Sequence, residues 1–109
     1  MNIELLRDYV IQKPFVTEGF PFGENVIVFK VNNKIFLLAP LVANPVQFNA
    51  KCDPERAAEL REEYPTAVLP GYHMNKKHWN TVVADGSLSK KQILELIDHS
   101  YQLVAKIKK

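Results

Sequence analysis

The stretch Pro70-Gly71-Tyr72-His73-Met74-Asn75-Lys76-Lys77-His78-Trp79 holds two of the chain's three histidines, two adjacent lysines and its only tryptophan. Three chemistries are open to such a set. A nucleophilic site would pair Cys52 with His73 or His78, because a thiol needs a neighbouring base or positive charge to act as a thiolate at neutral pH. A metal site would take His73, His78 and Asp85, but their spacing matches no standard zinc ligand set and the sequence has no paired-cysteine motif. A nucleic-acid surface would place Lys76 and Lys77 on phosphates with His73 and Trp79 beside them as aromatic surface, extended by Lys30, Lys34 and Lys51.

Each reading has a plainer rival. Cys52 is also what a small apolar residue at a strand end looks like, although it precedes a helix start where the dipole favours a thiolate. Trp79 in a strand is expected to be structural first, its ring against the sheet core. A Lys-Lys pair in a loop is the ordinary chemistry of a solvated turn, and His99 is expected at the boundary of a helix's apolar stripe. Of the three chemistries, nucleic-acid binding draws on the most residues. Neither a catalytic group, a cofactor nor a metal is expected.

The elements that must position these residues follow from the patterning. With 109 residues, 47% hydrophobic and 24% charged, the chain is expected to fold as one domain over residues 1–109. A lone cysteine points to a reducing compartment, and the sequence has neither a signal-peptide run nor a span of ~20 apolar residues, so a cytoplasmic protein without membrane contact is expected. The net charge of +2 is unevenly spread. Residues 1–69 carry seven cations against nine acids, and residues 70–109 carry seven cations against three. That asymmetry is consistent with a cationic face, while Lys106, Lys108 and Lys109 also suit the end of a helix.

Asn2 should cap a first helix with Leu5, Leu6, Tyr9 and Val10 at helical spacing, closed by Pro14. Residues 15–23, with Phe15, Phe20 and Phe22 among glycines and a proline, predict an apolar loop packed over the core. Two β-rich runs, residues 26–31 and 34–38, flank Asn32-Asn33 and predict a type I′ hairpin. Residues 45–51 predict a third strand with Val46, Phe48 and Ala50 inward and Gln47, Asn49 and Lys51 in water. Asp53-Pro54-Glu55 is a strong helix start, and that helix should end before Pro65. Strands are expected near residues 67–75 and 78–84, with a type II turn at Leu69-Pro70-Gly71-Tyr72 and a second tight turn at Asn75-Lys76-Lys77. Trp79, Thr81 and Val83 alternate with His78, Asn80 and Val82, the period of a strand with one buried face. After the Asp85-Gly86 turn, Ser89 and Gln92 form a capping box for a last helix whose stripe runs Ile93, Leu96, Ile97, Ser100, Tyr101, Val104, Ile107. The expected order is α-β-β-β-α-β-β-α, an α+β fold with helices on an antiparallel sheet.

The segments FPFGENVIVFKV, KCDPERAAELREEYP and LPGYHMNKKHWNTV, with the closing DG and a helix ending SYQLV, resemble the YjbR/MmcQ family of small bacterial proteins across nearly the whole chain. The resemblance implies a secretion-chaperone-like α+β fold with a double-wing arrangement, and DNA binding without catalysis. The expected partner is therefore DNA. The alternative is a protein-interaction module that offers an apolar sheet face or the Phe15 to Phe22 loop to a peptide or a second copy; the sequence does not fix an oligomeric state.

Overall fold

The computed structural model describes residues 1–72 and 74–106. His73, Ile107, Lys108 and Lys109 lie outside the described residues. In chain order the elements are α1 (Ile3–Ile11), β1 (Val16–Gly19), β2 (Val26–Val31), β3 (Lys34–Pro40), β4 (Gln47–Lys51), α2 (Pro54–Glu63), β5 (Val68–Pro70), β6 (Trp79–Val83) and α3 (Lys90–Ala105). The described strands form one six-stranded antiparallel sheet in the order β1-β2-β3-β4-β6-β5. The α+β class holds, with the expected elements in the expected order and one strand more.

The local signals behave as their chemistry requires. Asn2 Oδ1 accepts from the Leu5 N–H at 2.8 Å, Asp53 Oδ1 accepts from the Glu55 N–H at 3.0 Å, and Ser89 with Gln92 closes a reciprocal capping box. Asn32 and Asn33 both take left-handed φ, 51° and 63°, as a two-residue hairpin of right-twisted strands needs. Asn32 Nδ2 also donates to the Ala105 carbonyl at 2.7 Å, which pins the hairpin tip to the end of α3.

One irregularity shapes the core. Phe29 pairs with Leu37 but Lys30 pairs with Ile35, so Phe36 is an extra residue in β3. Such a bulge turns two consecutive side chains to one face, and Phe36 and Leu37 are both fully buried in the core. All three helices cover that face. Arg7 of α1 reaches Glu18, whose strand partner is Phe29; Ser100 of α3 donates to the Phe36 carbonyl and accepts from the Lys51 N–H; and Arg61 of α2 donates to Asn80, whose strand partner is Ala50.

By strand alternation, the opposite face carries Thr17, Gly19, Val26, Val28, Lys30, Leu38, Pro40, Gln47, Asn49, Lys51, Leu69, Trp79, Thr81 and Val83. Four expectations are corrected here. Part of the 15–23 loop is strand β1, which its four residues VTEG hide by lacking an apolar alternation, and its phenylalanines point out: Phe15 is 85% exposed and Phe22 65%. The strand expected over 67–75 stops at Pro70, and Gly71 lacks the positive φ of a type II turn; its N–H instead continues the ladder to the Trp79 carbonyl at 3.0 Å. The helix-covered face of β6 takes Asn80 and Val82, so Trp79, Thr81 and Val83 lie on the other side. Asn49, expected in water, is buried. The turn at Asn75 is present, with the His78 and Trp79 N–H groups donating to the Asn75 carbonyl at 3.2 and 2.9 Å.

Candidate functional site

The sheet face away from the helices is partly roofed by two connections, residues 20–25 and residues 71–78. A closed set of hydrogen bonds holds the second one down. Thr81 Oγ1 donates to Asn49 Oδ1, Asn49 Nδ2 donates to the Tyr72 carbonyl at 3.1 Å, and the Tyr72 N–H donates to Thr81 Oγ1 at 3.0 Å. This ring explains why two polar side chains can be buried without cost from unmade bonds. Next to it, Gly71 lies so close to β6 that a Cβ would stand 2.8 Å from Trp79 Cβ and 2.9 Å from the Trp79 carbonyl oxygen. A glycine is required there by proximity, with no demand on φ.

The same connection is gripped from the helix side. Arg61 donates through one nitrogen to the Lys76 carbonyl at 2.8 Å and to Asn80 Oδ1 at 3.0 Å. Lys76 Nζ donates to the Gly71 carbonyl at 3.2 Å, which closes the connection on itself and leaves two ammonium protons for other acceptors. Lys77 is exposed, its backbone N–H held by Asn75 Oδ1 at 2.9 Å.

The sequence-predicted residues fall into three groups. Lys30, Lys51 and Trp79 lie on the helix-free face, with Lys51 and Trp79 direct strand partners and all three half-buried. Lys76 and Lys77 stand in the connection that borders that face. Lys34 is not with them: it is the strand partner of the core residue Val31, which sets it on the helix side of the sheet. His73 lies outside the described residues.

Charge is segregated by face. Of the twelve acids in the chain, Glu18 is the only one in a strand, and it points to the helix side, paired with Arg7 at 2.6 Å. Among the described residues, the strand positions of the helix-free face therefore carry Lys30 and Lys51 and no acid, while Glu24 stands in the 20–25 connection above them. Four acids, Glu55, Glu59, Glu62 and Glu63, line α2 on the far side.

Between the two roofing connections lies a cavity of about 400 Å³, within the range of ligand pockets. Phe22 comes from one connection, Tyr72 and Met74 from the other, and Val26, Leu38 and Pro40 from the sheet, with Gln47 and Asn49 as its polar edge. Sequence reasoning missed this cavity, since its walls come from five separated segments. The signal that could have found it is the pairing of Tyr72 with Met74, large side chains placed in a loop.

The other chemistries fare differently. Cys52 is buried at 4% exposure, and burial pushes its thiol pKa up, away from a reactive thiolate. Asp85 is engaged by the Ser87 N–H at 2.9 Å, which holds its carboxyl below the usual range. Among the described residues, no three His, Cys, Asp or Glu side chains come together as a metal ligand set. His99 accepts from the Asp53 N–H at 3.1 Å, and its pKa is lowered by burial first and by Arg56 second. No helix among the described residues is long and apolar enough to cross a membrane.

Comparison with known proteins gives this geometry a family. The YjbR family model matches residues 11–103. The Escherichia coli O157:H7 protein YbdF is 37% identical over 93% of this chain and 82% of its own length, and Escherichia coli K12 YjbR is 36% identical over 94% of this chain and 86% of its own. The crystal structure of Deinococcus radiodurans protein DR2400, a DUF419 domain, superposes with a TM-score of 0.92 at 38% identity, covering 96% of this chain and 79% of that one. A Pseudomonas syringae crystal structure superposes with a TM-score of 0.80 at 30% identity, covering 95% of this chain and 99% of that one. These comparisons give kinship and fold: with the family model matched over residues 11–103 and relatives 36% and 37% identical over nearly the whole chain, the chain belongs to the YjbR family.

Proposed function

We propose that the chain is a DNA-binding module whose contact surface is the helix-free face of the sheet together with the 71–78 connection. Lys51, Lys77 and Lys30 meet phosphates, Lys76 adds its two remaining ammonium protons, and Trp79 lies beside them as aromatic surface. The observation that carries the reading is the segregation of charge, with lysines and no acid at the strand positions of this face and the acidic α2 on the other side. A strand of nucleic acid approaching the strands of this side meets lysines and no acid, with Glu24 in the 20–25 connection as the one acid of the roof, an excess of attraction that an even scatter of twelve acids would not give. Binding without turnover is supported by the buried Cys52 thiol, whose raised pKa disfavours the nucleophilic form.

The test is fluorescence anisotropy of labelled DNA across a salt series. Phosphate-driven binding gives a dissociation constant of roughly 10⁻⁴ to 10⁻⁶ M at physiological salt and a log-log salt dependence of about −0.9 per contact on duplex. Absence of binding at low salt, or binding that ignores salt, would exclude the reading. Salt-insensitive self-association would instead favour the module that binds a peptide or a second copy, for which the exposed Phe15, Phe20 and Phe22 are the specific observation.

A further inference from the structure

We infer that the cavity between the two connections receives one unpaired base, so that the DNA form this chain prefers is a single strand; the inference rests on the DNA-binding reading above and names its substrate class. The argument begins from what the cavity offers. Its sheet walls, Val26, Leu38 and Pro40, are apolar, and Phe22 and Tyr72 flank its mouth from opposite connections. A slot of this kind takes a flat, uncharged ring and rejects an ion. At its edge stands Gln47. Among the described residues its side-chain amide has no hydrogen-bond partner, whereas Asn49 beside it is engaged on both atoms. A free primary amide presents a donor and an acceptor side by side, which is the pairing that base edges carry.

Charge decides what the ring is attached to. Gln47, Asn49 and Lys51 alternate along the same face of β4, so the amide at the cavity and the lysine outside it belong to one row. In the connection above, Met74 lines the cavity and Lys76 and Lys77 follow one residue later, just ahead of Trp79, the strand partner of Lys51. An apolar slot with a free amide at its edge and lysines gathered at the Lys51 end of its mouth matches a base on a phosphodiester chain that leaves the slot toward that end. A neutral apolar side chain would use the slot and leave the lysines unexplained. A duplex base is stacked and paired and cannot enter without first being extruded, which costs a few kcal/mol. The strand that is already unpaired is therefore favoured.

The experiment compares three probes in anisotropy titrations: an oligothymidylate of about 12 nucleotides, an abasic strand of the same length, and a duplex of that length. The expected result is that the oligothymidylate binds about 10-fold more tightly than either of the others, the size of effect that burial of one base against apolar and aromatic side chains gives. Val26→Trp, which fills the slot, should remove that advantage and leave the salt-dependent binding common to all three probes. Because this variant could fail to fold, amide chemical-shift mapping of the wild-type chain with the oligothymidylate supplies a second readout, with the largest shifts expected at Val26, Leu38, Gln47 and Asn49. Equal, salt-dependent binding of all three probes overturns the base pocket and leaves DNA binding standing. A preference for the oligothymidylate that a folded Val26→Trp retains, or shifts that avoid these four residues, also overturns it. If none of the probes binds at low salt, both readings fall together.

Discussion

Lys51 and Trp79 face each other across β4 and β6 on the side of the sheet that no helix covers. The pairing decides what kind of residue Trp79 is. A tryptophan in the helix-covered core would cost about 3 to 5 kcal/mol on truncation to alanine. Trp79 is half-buried, and its Cβ rests on Gly71 rather than among the core side chains. Trp79→Ala should therefore cost about 2 kcal/mol, measured by urea denaturation, since roughly half the burial gives roughly half the loss. A loss above about 4 kcal/mol would return the ring to a core role.

Gly71→Ala is the smallest change that should disturb the roof of the site. The added methyl group would have to displace Trp79 Cβ from 2.8 Å and a backbone oxygen from 2.9 Å, and backbone moves less readily than a flexible side-chain tip. The expected cost is about 1 to 3 kcal/mol, the range for overpacking a close contact. A melting temperature equal to that of wild type would show that the 71–78 connection is looser than its hydrogen bonds imply.

Thr81→Val tests the polar ring. The substitution keeps the shape but strips the hydroxyl that serves Asn49 Oδ1 and the Tyr72 N–H, leaving both without that partner. A loss of about 1 to 3 kcal/mol is expected, together with faster hydrogen exchange at the Tyr72 amide. Unchanged exchange there would mean that the connection does not depend on the ring.

How much of this was legible beforehand depended on whether the physics was local. The Asn2, Asp53 and Ser89 caps and the Asn32-Asn33 turn are settled by bonds within a few residues, and each is where the sequence put it. The side of the sheet that Trp79 faces is not local, because period 2 says that a strand has two faces and leaves open which one the helices cover. Asn49 looked like a surface residue for the same reason: its partners, Thr81 and Tyr72, lie 32 and 23 residues away. The candidate surface was legible in Lys51, Lys76, Lys77 and Trp79, whereas its cavity needed the 20–25 and 71–78 connections to meet over one sheet.

Acid should weaken the fold in two stages. His99 is half-buried and lies near Arg56, so partial desolvation first and that positive charge second hold its pKa in the folded chain below the ordinary 6.5. The unfolded chain thus takes up the proton first as pH falls below 6.5. The stability this gives is complete above that value and is lost on the way down to the lower folded pKa. Glu18, held low by its hydrogen bond to Arg7, adds a second loss, confined to the acid side of the usual carboxylate range. His99→Gln should flatten the dependence of the melting temperature in the window that opens just below pH 6.5 and leave the carboxylate limb in place. A variant that retains the full slope in that window would remove His99 as its source.

The most discriminating substitutions for function contrast lysines on the two faces. Lys34 shares the sheet with Lys51 but is the strand partner of Val31, on the helix side, whereas Lys51 is the partner of Trp79 on the free side. If the binding surface is the free face, Lys34→Glu should leave both affinity and salt dependence within error. Lys51→Glu with Lys77→Glu should lower the magnitude of the log-log salt slope on duplex by about 1.8, the loss of two phosphate contacts, with repulsion weakening binding further. Exposed lysines contribute little to stability, typically within ±0.5 kcal/mol, so Lys34 and Lys77 should be silent in circular dichroism and thermal melts. Lys76 gives a finer comparison. Its ammonium already holds the Gly71 carbonyl, so Lys76→Ala should loosen the connection and cost more stability than Lys77→Ala, while Lys77→Ala should cost more of the salt slope. A Lys34→Glu protein that loses binding as severely as the Lys51, Lys77 pair would move the contact surface to the helix side, where the acids of α2 make it hardest to explain.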